Sequence, residues 1–277
     1  MDPIQEFVES QTKGPADPGT DLQSILRRHP ALSQFLYGLV AVILPVFRGC
    51  DPSACVEGEF EPRMYHYAMA LGEEHRCYEL YVTDEYTPDQ SWPLVLFWHG
   101  IIESGDDGFA HLAVGIGPAL RERPEQFPCL VAMPQLPWNA TYEDIDAIYA
   151  ATLADVEARY NIDPNRISMT GISYGASGTW RYAAEHEGEL SAILPIAGAG
   201  RDVDIPKLLD IPIWTFANAN DELSDTADWR RFTEDLADAG ANIIATELPG
   251  STHEIWDRVY RRADITDWLL AQTLSPP

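Results

Sequence analysis

NIDPNRISMTGISYGASGTW, residues 161–180, decides the reading of this chain. It gives a turn, then a short apolar strand, then Gly171-Ile172-Ser173-Tyr174-Gly175, and a helix over 174–187. A serine between two glycines is either a nucleophile on a sharp turn or a flexible Gly/Ser loop, and short motif matches arise by accident. Context separates the two. A nucleophile needs a strand before it, a helix after it, and an acid and a histidine downstream in that order.

Outward from this stretch the pattern is regular from about residue 60. Strand-length runs at 63–70 and 76–83 flank LGEEH and form an expected hairpin. PLVLFWHG (93–100) and CLVAMPQ (129–135) are continuous apolar runs, as strands buried on both faces should be. A helix is expected over 142–160, where Ile145, Ile148, Tyr149, Val156 and Tyr160 recur at helical spacing. Strands follow at 192–198, 211–220 and 242–250, with helices at 226–240 and 254–272. This alternation predicts an α/β fold, a mostly parallel central sheet with helices on both faces. No internal repeat or linker interrupts it, so residues 60–277 are expected to be one catalytic domain. The Gly-Ser motif then lies between a buried strand and a helix, and the loop reading loses.

A serine hydroxyl is a poor nucleophile until a neighbouring base takes its proton. Ser173 has the turn setting, with Gly171 and Gly175 where the backbone must crowd. Ser177, one turn into the helix, reads as a packing residue. Of seven histidines, only His253 follows the last expected strand and precedes the last helix, where the base should sit. ANANDELSD (217–225) offers Asp221, Glu222 and Asp225 as the acid. Asp221 comes first after its strand and is preferred, with Asp225 next. The Tyr174 amide at the helix N-terminus is one expected oxyanion donor. The Ile101 amide is the other, with His99 bracing its loop by hydrogen bonds. ESGDDG (103–108) reads as a solvated turn, and its spacing fits no EF-hand loop, so no metal site is expected.

The formal net charge is −26, and only Lys13 and Lys207 among 18 cations are lysines. Such a surface disfavours nucleic acid, anionic membranes and anionic substrates as partners. It fits a salt-adapted protein and an ordinary acidic one alike. Cys77 and Cys129 lie in apolar runs and read as buried thiols, whereas Cys50 and Cys55 flank DPSA and would close a small disulfide loop in an exported protein. Residues 1–59 form a separate N-terminal segment. Its start is polar and reads as disordered; Arg27 and Arg28 then precede an apolar run, Phe35 to Phe47. That run is short for a membrane span and suits either a packed helix or an export or anchor signal. Membrane association is expected only if it anchors, and a secreted or cell-envelope location only if residues 27–50 direct export; otherwise the cytoplasm is expected.

Together, YELYVTDEYTPDQSWPLVLFWHG, ESGDDG, MPQLPW, the 161–180 stretch and THEIWDRVY resemble the α/β-hydrolase superfamily. Within it they resemble the secreted esterase branch that includes poly(3-hydroxybutyrate)-depolymerase-like proteins and the "predicted peptidase" phospholipase/carboxylesterase group. The likeness runs from about Phe60 to Gln272 and implies Ser173, Asp221 and His253 as a triad, with Ile101 and Tyr174 as oxyanion amides. This chain departs from the family by having Asn218 and its neighbours where a His-Gly pair often precedes the acid. It also has Ile101 and Ile102 where small residues are usual. Ile102, Trp138 and Trp256 are candidate substrate-binding residues. The expected activity is cofactor-free serine hydrolysis of neutral esters with apolar or aromatic acyl groups, a polyester or a phenolic ester among them. A serine peptidase of the same fold and a non-catalytic binding protein are the alternatives.

Overall fold

The computed structural model describes residues 57–71, 74–105, 107–138 and 140–274. The expected disulfide of Cys50 and Cys55 and the apolar run at 35–47 lie outside these residues. Nine strands form one sheet in the order β1-β2-β3-β5-β4-β6-β7-β8-β9. They are β1 Gly58–Glu61, β2 Met64–Leu71, β3 Glu74–Val82, β4 Trp92–Trp98, β5 Leu130–Pro134, β6 Ile162–Ile172, β7 Ala192–Ile196, β8 Ile213–Asn218 and β9 Ile243–Leu248. Strands β1 to β3 are antiparallel, β3 pairs antiparallel with β5, and β5 through β9 run parallel. The expected hairpin is β2–β3, and the mostly parallel sheet is borne out.

The central strands read as continuous apolar runs because each must feed two cores. Along β4, Leu94, Leu96 and Trp98 enter one core while Val95 and Phe97 enter the other, the two-residue alternation of a pleated strand. On the first face pack α2 Tyr142–Arg159, α3 Tyr174–Glu185 and α4 Thr226–Asp238, through Ile145, Trp180 and Leu236 among others. On the second pack α1 Ile116–Glu122, α5 Trp256–Tyr260 and α6 Ala263–Ala271, through Ile116, Val259 and Ile265. Helix α2 starts in a reciprocal cap between Thr141 and Asp144.

Four details differ from the sequence reading. The closing helix expected over 254–272 is two helices, because Arg262 is extended at φ −89, ψ 122 and caps the second. The turn before β6 is absorbed within the strand: Trp92 pairs with Ile162 and Leu94 with Ile167, so the intervening residues bulge out of register. Strand β1 carries no strong periodicity and is not expected from the sequence. Cys77 is not a free thiol but disulfide-bonded. Cys129 is a buried free thiol, pushed up to about 12 by burial. None of the described helices is long and apolar enough to cross a membrane.

After β4 the chain crosses to β5 on one side, then to β6 on the other. Such a switch point opens a crevice at the carboxyl ends of neighbouring parallel strands. Ile101 follows β4 and Ser173 follows β6, so both lie at this crevice.

Candidate active site

Ser173 caps the N-terminus of α3 at φ 54, ψ −116. An L-residue rarely adopts such a backbone, and the surroundings must hold it there. They do so by close approach. A Cβ on Gly171 would lie 2.3 Å from the Gly175 carbonyl oxygen, and one on Gly175 would lie 2.4 Å from that of Trp98. The turn is thus pressed into backbone contact with the end of β4, which only glycine permits.

His253 lies on the loop between β9 and α5. Its Nε2 accepts from Ser173 Oγ at 2.7 Å, and its Nδ1 donates to Asp221 Oδ2 at 2.8 Å. The carboxylate can only accept, so the proton sits on Nδ1 and the Nε2 lone pair faces the serine. The Asp221 side chain is 1% exposed and that of His253 7%. Asp221 Oδ1 accepts the amides of Leu223 and Ser224 at 2.8 and 2.9 Å, which fixes the carboxylate plane.

The rival residues are engaged elsewhere. Asp225 caps α4, accepting from the amides of Ala227 and Asp228. Ser177 Oγ donates to the Ala199 carbonyl. His66 and His111 both bond to Glu79, and His186 stacks on Tyr182. Asn218, at the position where the sequence departs from the family pattern, donates from Nδ2 to the Thr252 carbonyl. It thereby ties the end of β8 to the residue before His253.

Trp256 is buried and packs edge-on against the His253 ring, with centroids 5.5 Å apart at 89°. Trp138 is 49% exposed; a Cβ on Gly105 would lie 3.6 Å from its indole nitrogen. Ile101 and Ile102 are half-buried in a short 3-10 turn after Gly100. Tyr174 is half-buried against the first core.

His99 is fully buried. Its Nε2 accepts the Leu136 amide at 2.9 Å, so Nδ1 carries the proton and donates to the Gly100 carbonyl at 2.7 Å. Burial, helped by nearby His111, holds it down to about 3, a neutral imidazole at any ordinary pH. ESGDDG is not the expected solvated turn, for Glu103 and Ser104 are buried. Gln135, also buried, spans the loop. Its Nε2 donates to the Glu103 carbonyl at 2.9 Å and its Oε1 accepts the Gly108 amide at 2.8 Å. Neither Glu103 nor Gln135 carried a sequence signal, since a buried and a solvated glutamate look alike in a polar run. Among the described residues no group of His, Cys, Asp and Glu is placed to hold a metal ion.

This geometry can be set beside known proteins. A family model, the Dienelactone hydrolase family, matches residues 119–259, a span that includes Ser173, Asp221 and His253. A thermostable esterase of known structure is 26% identical with a TM-score of 0.69, over 76% of this chain and 64% of its own. The chain thus spans less than two thirds of that esterase. The feruloyl esterase module of Clostridium thermocellum, solved with sinapinate, is 12% identical with a TM-score of 0.62, over 83% of this chain and 93% of its own. An S-formylglutathione hydrolase from Staphylococcus aureus is 13% identical with a TM-score of 0.55, over 75% and 96%. The last two likenesses are of fold alone. No curated protein matches the chain in sequence. The family match spans half the chain, and the expected superfamily is borne out: the chain belongs to the dienelactone hydrolase family and has the α/β-hydrolase fold.

Proposed function

We propose that residues 60–277 form a serine carboxylic-ester hydrolase working through an acyl-enzyme. The observation that carries this is the unbroken chain from Ser173 Oγ to His253 Nε2 at 2.7 Å and from His253 Nδ1 to Asp221 Oδ2 at 2.8 Å. It is mounted on a strained turn that aims the serine out of the helix.

His253 takes the serine proton as Oγ attacks the ester carbonyl. It then gives that proton to the leaving alcohol, and the same steps run in reverse order with water. Asp221 holds the imidazole in the required tautomer and stabilises its cation. The Tyr174 amide, at the positive end of α3, and the Ile101 amide, on the loop after β4, receive the carbonyl oxygen as it becomes an oxyanion.

Neutral esters suit the site best, because the net charge of −26 disfavours anionic substrates. Half-buried Ile101 and Ile102 offer an apolar wall, and exposed Trp138 offers a face for an aromatic acyl group or a polymer chain. Trp256, packed on His253, supports the imidazole rather than the substrate. Sinapinate bound by the Clostridium thermocellum module makes hydroxycinnamate esters sensible aromatic substrates to try.

The test is hydrolysis of p-nitrophenyl esters from acetate to octanoate, and of methyl hydroxycinnamates, by the wild type and Ser173→Ala. The variant should keep its fold and lose at least ~10³-fold in kcat. Normal turnover in it would sink the assignment.

A further inference from the structure

Gly100 is gripped at both of its peptide groups by buried side chains. Its carbonyl accepts from His99 Nδ1 at 2.7 Å. The Glu103 amide donates to the same carbonyl at 3.3 Å, and the Gly100 amide lies near enough to the Glu103 carboxyl to favour its ionised form. A Cβ on Gly100 would lie 2.7 Å from Glu103 Oε2 and 3.7 Å from Ser173 Cβ. The carboxyl therefore sits against the loop at the point where the loop meets the nucleophile turn. Glu103 is only 7% exposed, yet nothing in the hydrolytic steps above uses it.

We propose that Glu103 is a positioning residue for the oxyanion pocket, fixing Gly100 from its amide side while His99 fixes it from its carbonyl side. The inference rests on reading Ile101 as an oxyanion donor. A trans peptide is planar, and its C=O and N–H point in opposite directions. With the Gly100 carbonyl held by His99, the Ile101 amide of the same peptide has one direction left. The preceding peptide meets the buried Glu103 carboxyl, whose Oε2 would lie 2.7 Å from a Cβ on Gly100, so a flip about either bond is resisted by a side chain packed against the loop. The grip is itself anchored: Gln135 Nε2 holds the Glu103 carbonyl, and the Gly105 amide donates to the Leu136 carbonyl at 2.8 Å.

Burial raises the Glu103 carboxyl to about 7, opposed by the two backbone amides and by His111; Glu254, beside His253, raises it further. Burying an acid here is costly, and the Gly100 amide could have been left to water in an open loop. Pre-set donors avoid reorganisation when charge develops on the substrate oxygen, and loss of one oxyanion donor costs about 10²–10³ in kcat. Loosening such a donor rather than deleting it should cost less.

The experiment compares wild type, Glu103→Ala, Glu103→Gln and Ser173→Ala with p-nitrophenyl butyrate, and measures inhibition by butylboronic acid, whose serine adduct places an oxygen in the oxyanion pocket. Glu103→Ala should lose roughly 10- to 100-fold in kcat with KM within about threefold. Glu103→Gln, which keeps one acceptor oxygen, should recover part of the loss. Boronate affinity should fall in step with kcat/KM, which a merely structural residue would not produce. Wild-type kcat in both Glu103 variants overturns the proposal. If Glu103→Ala does not fold, Glu103→Gln decides alone: a lower kcat at unchanged KM and melting temperature supports it, and wild-type kcat overturns it. Turnover persisting in Ser173→Ala would instead overturn the reading of the site on which the proposal rests.

Discussion

Thr170 Oγ1 and the Tyr260 hydroxyl lie 2.7 Å apart in the buried interior, joining the strand that feeds Ser173 to the helix that follows His253. Thr170 Oγ1 also reaches the Leu194 carbonyl at 2.7 Å on the neighbouring strand. One hydroxyl pair thus braces β6, β7 and α5 behind the site. Tyr260→Phe removes one partner while Thr170 keeps its carbonyl, so the loss should be about 1 kcal/mol. Urea denaturation measures it, and an unchanged midpoint would deny this bond a role.

Ser173 holds φ 54, ψ −116 against its intrinsic preference. Both Ser173→Ala and Ser173→Gly should be inactive, yet they should differ in stability. Glycine accepts this backbone without strain, although it also gains freedom in the unfolded chain. With strain worth about 1–3 kcal/mol, Ser173→Gly should be the more stable by about 1 kcal/mol. Equal melting temperatures would mean the turn is not strained.

Asp221 accepts from His253 Nδ1, whereas Asp225 caps α4. Asp221→Asn should cut kcat by about 10⁴, since an amide in place of the carboxylate no longer selects the Nδ1–H tautomer. Asp225→Ala removes the cap of α4 and should cost about 1 kcal/mol of stability while leaving kcat within a few-fold. The reverse pattern in a paired kinetic and thermal assay would move the acid to Asp225.

Two buried groups on the loop after β4 give opposite pH dependences. His99 is lowered from 6.5 to about 3, so the unfolded chain binds the extra proton between these values and stability rises with pH across that window. Glu103 is raised from 4.5 to about 7, so the folded chain binds the extra proton and stability falls as pH climbs from 4.5 to 7. Where the windows overlap the two oppose. Glu103→Gln should remove the second, making the pH slope of unfolding free energy more positive by up to about 1.4 kcal/mol per pH unit. Parallel slopes for the variant and wild type over pH 4.5–7 would show that Glu103 does not titrate there.

The chain by itself determined the alternation of strands and helices and the places of Ser173, Asp221 and His253 along it. Those signals are local: buried parallel strands must be apolar throughout, a helix face repeats every three to four residues, and a crowded turn excludes side chains. Family resemblance fixed the order of the three residues and pointed to the Trp256 and Tyr260 positions without a reason for either. Tertiary structure supplied the reasons, an indole against the His253 ring and a hydroxyl on Thr170. It also broke the last helix at Arg262, drew Cys77 into a disulfide and set Asp225 to capping rather than orienting His253. Most of all it buried Glu103. A carboxylate's neighbours across a loop come from strands distant in sequence, here β4, β5 and the turn after β6, and no periodicity records them. Burial and hydrogen bonding of polar side chains depend on which elements meet, and that is decided only once the sheet has been assembled.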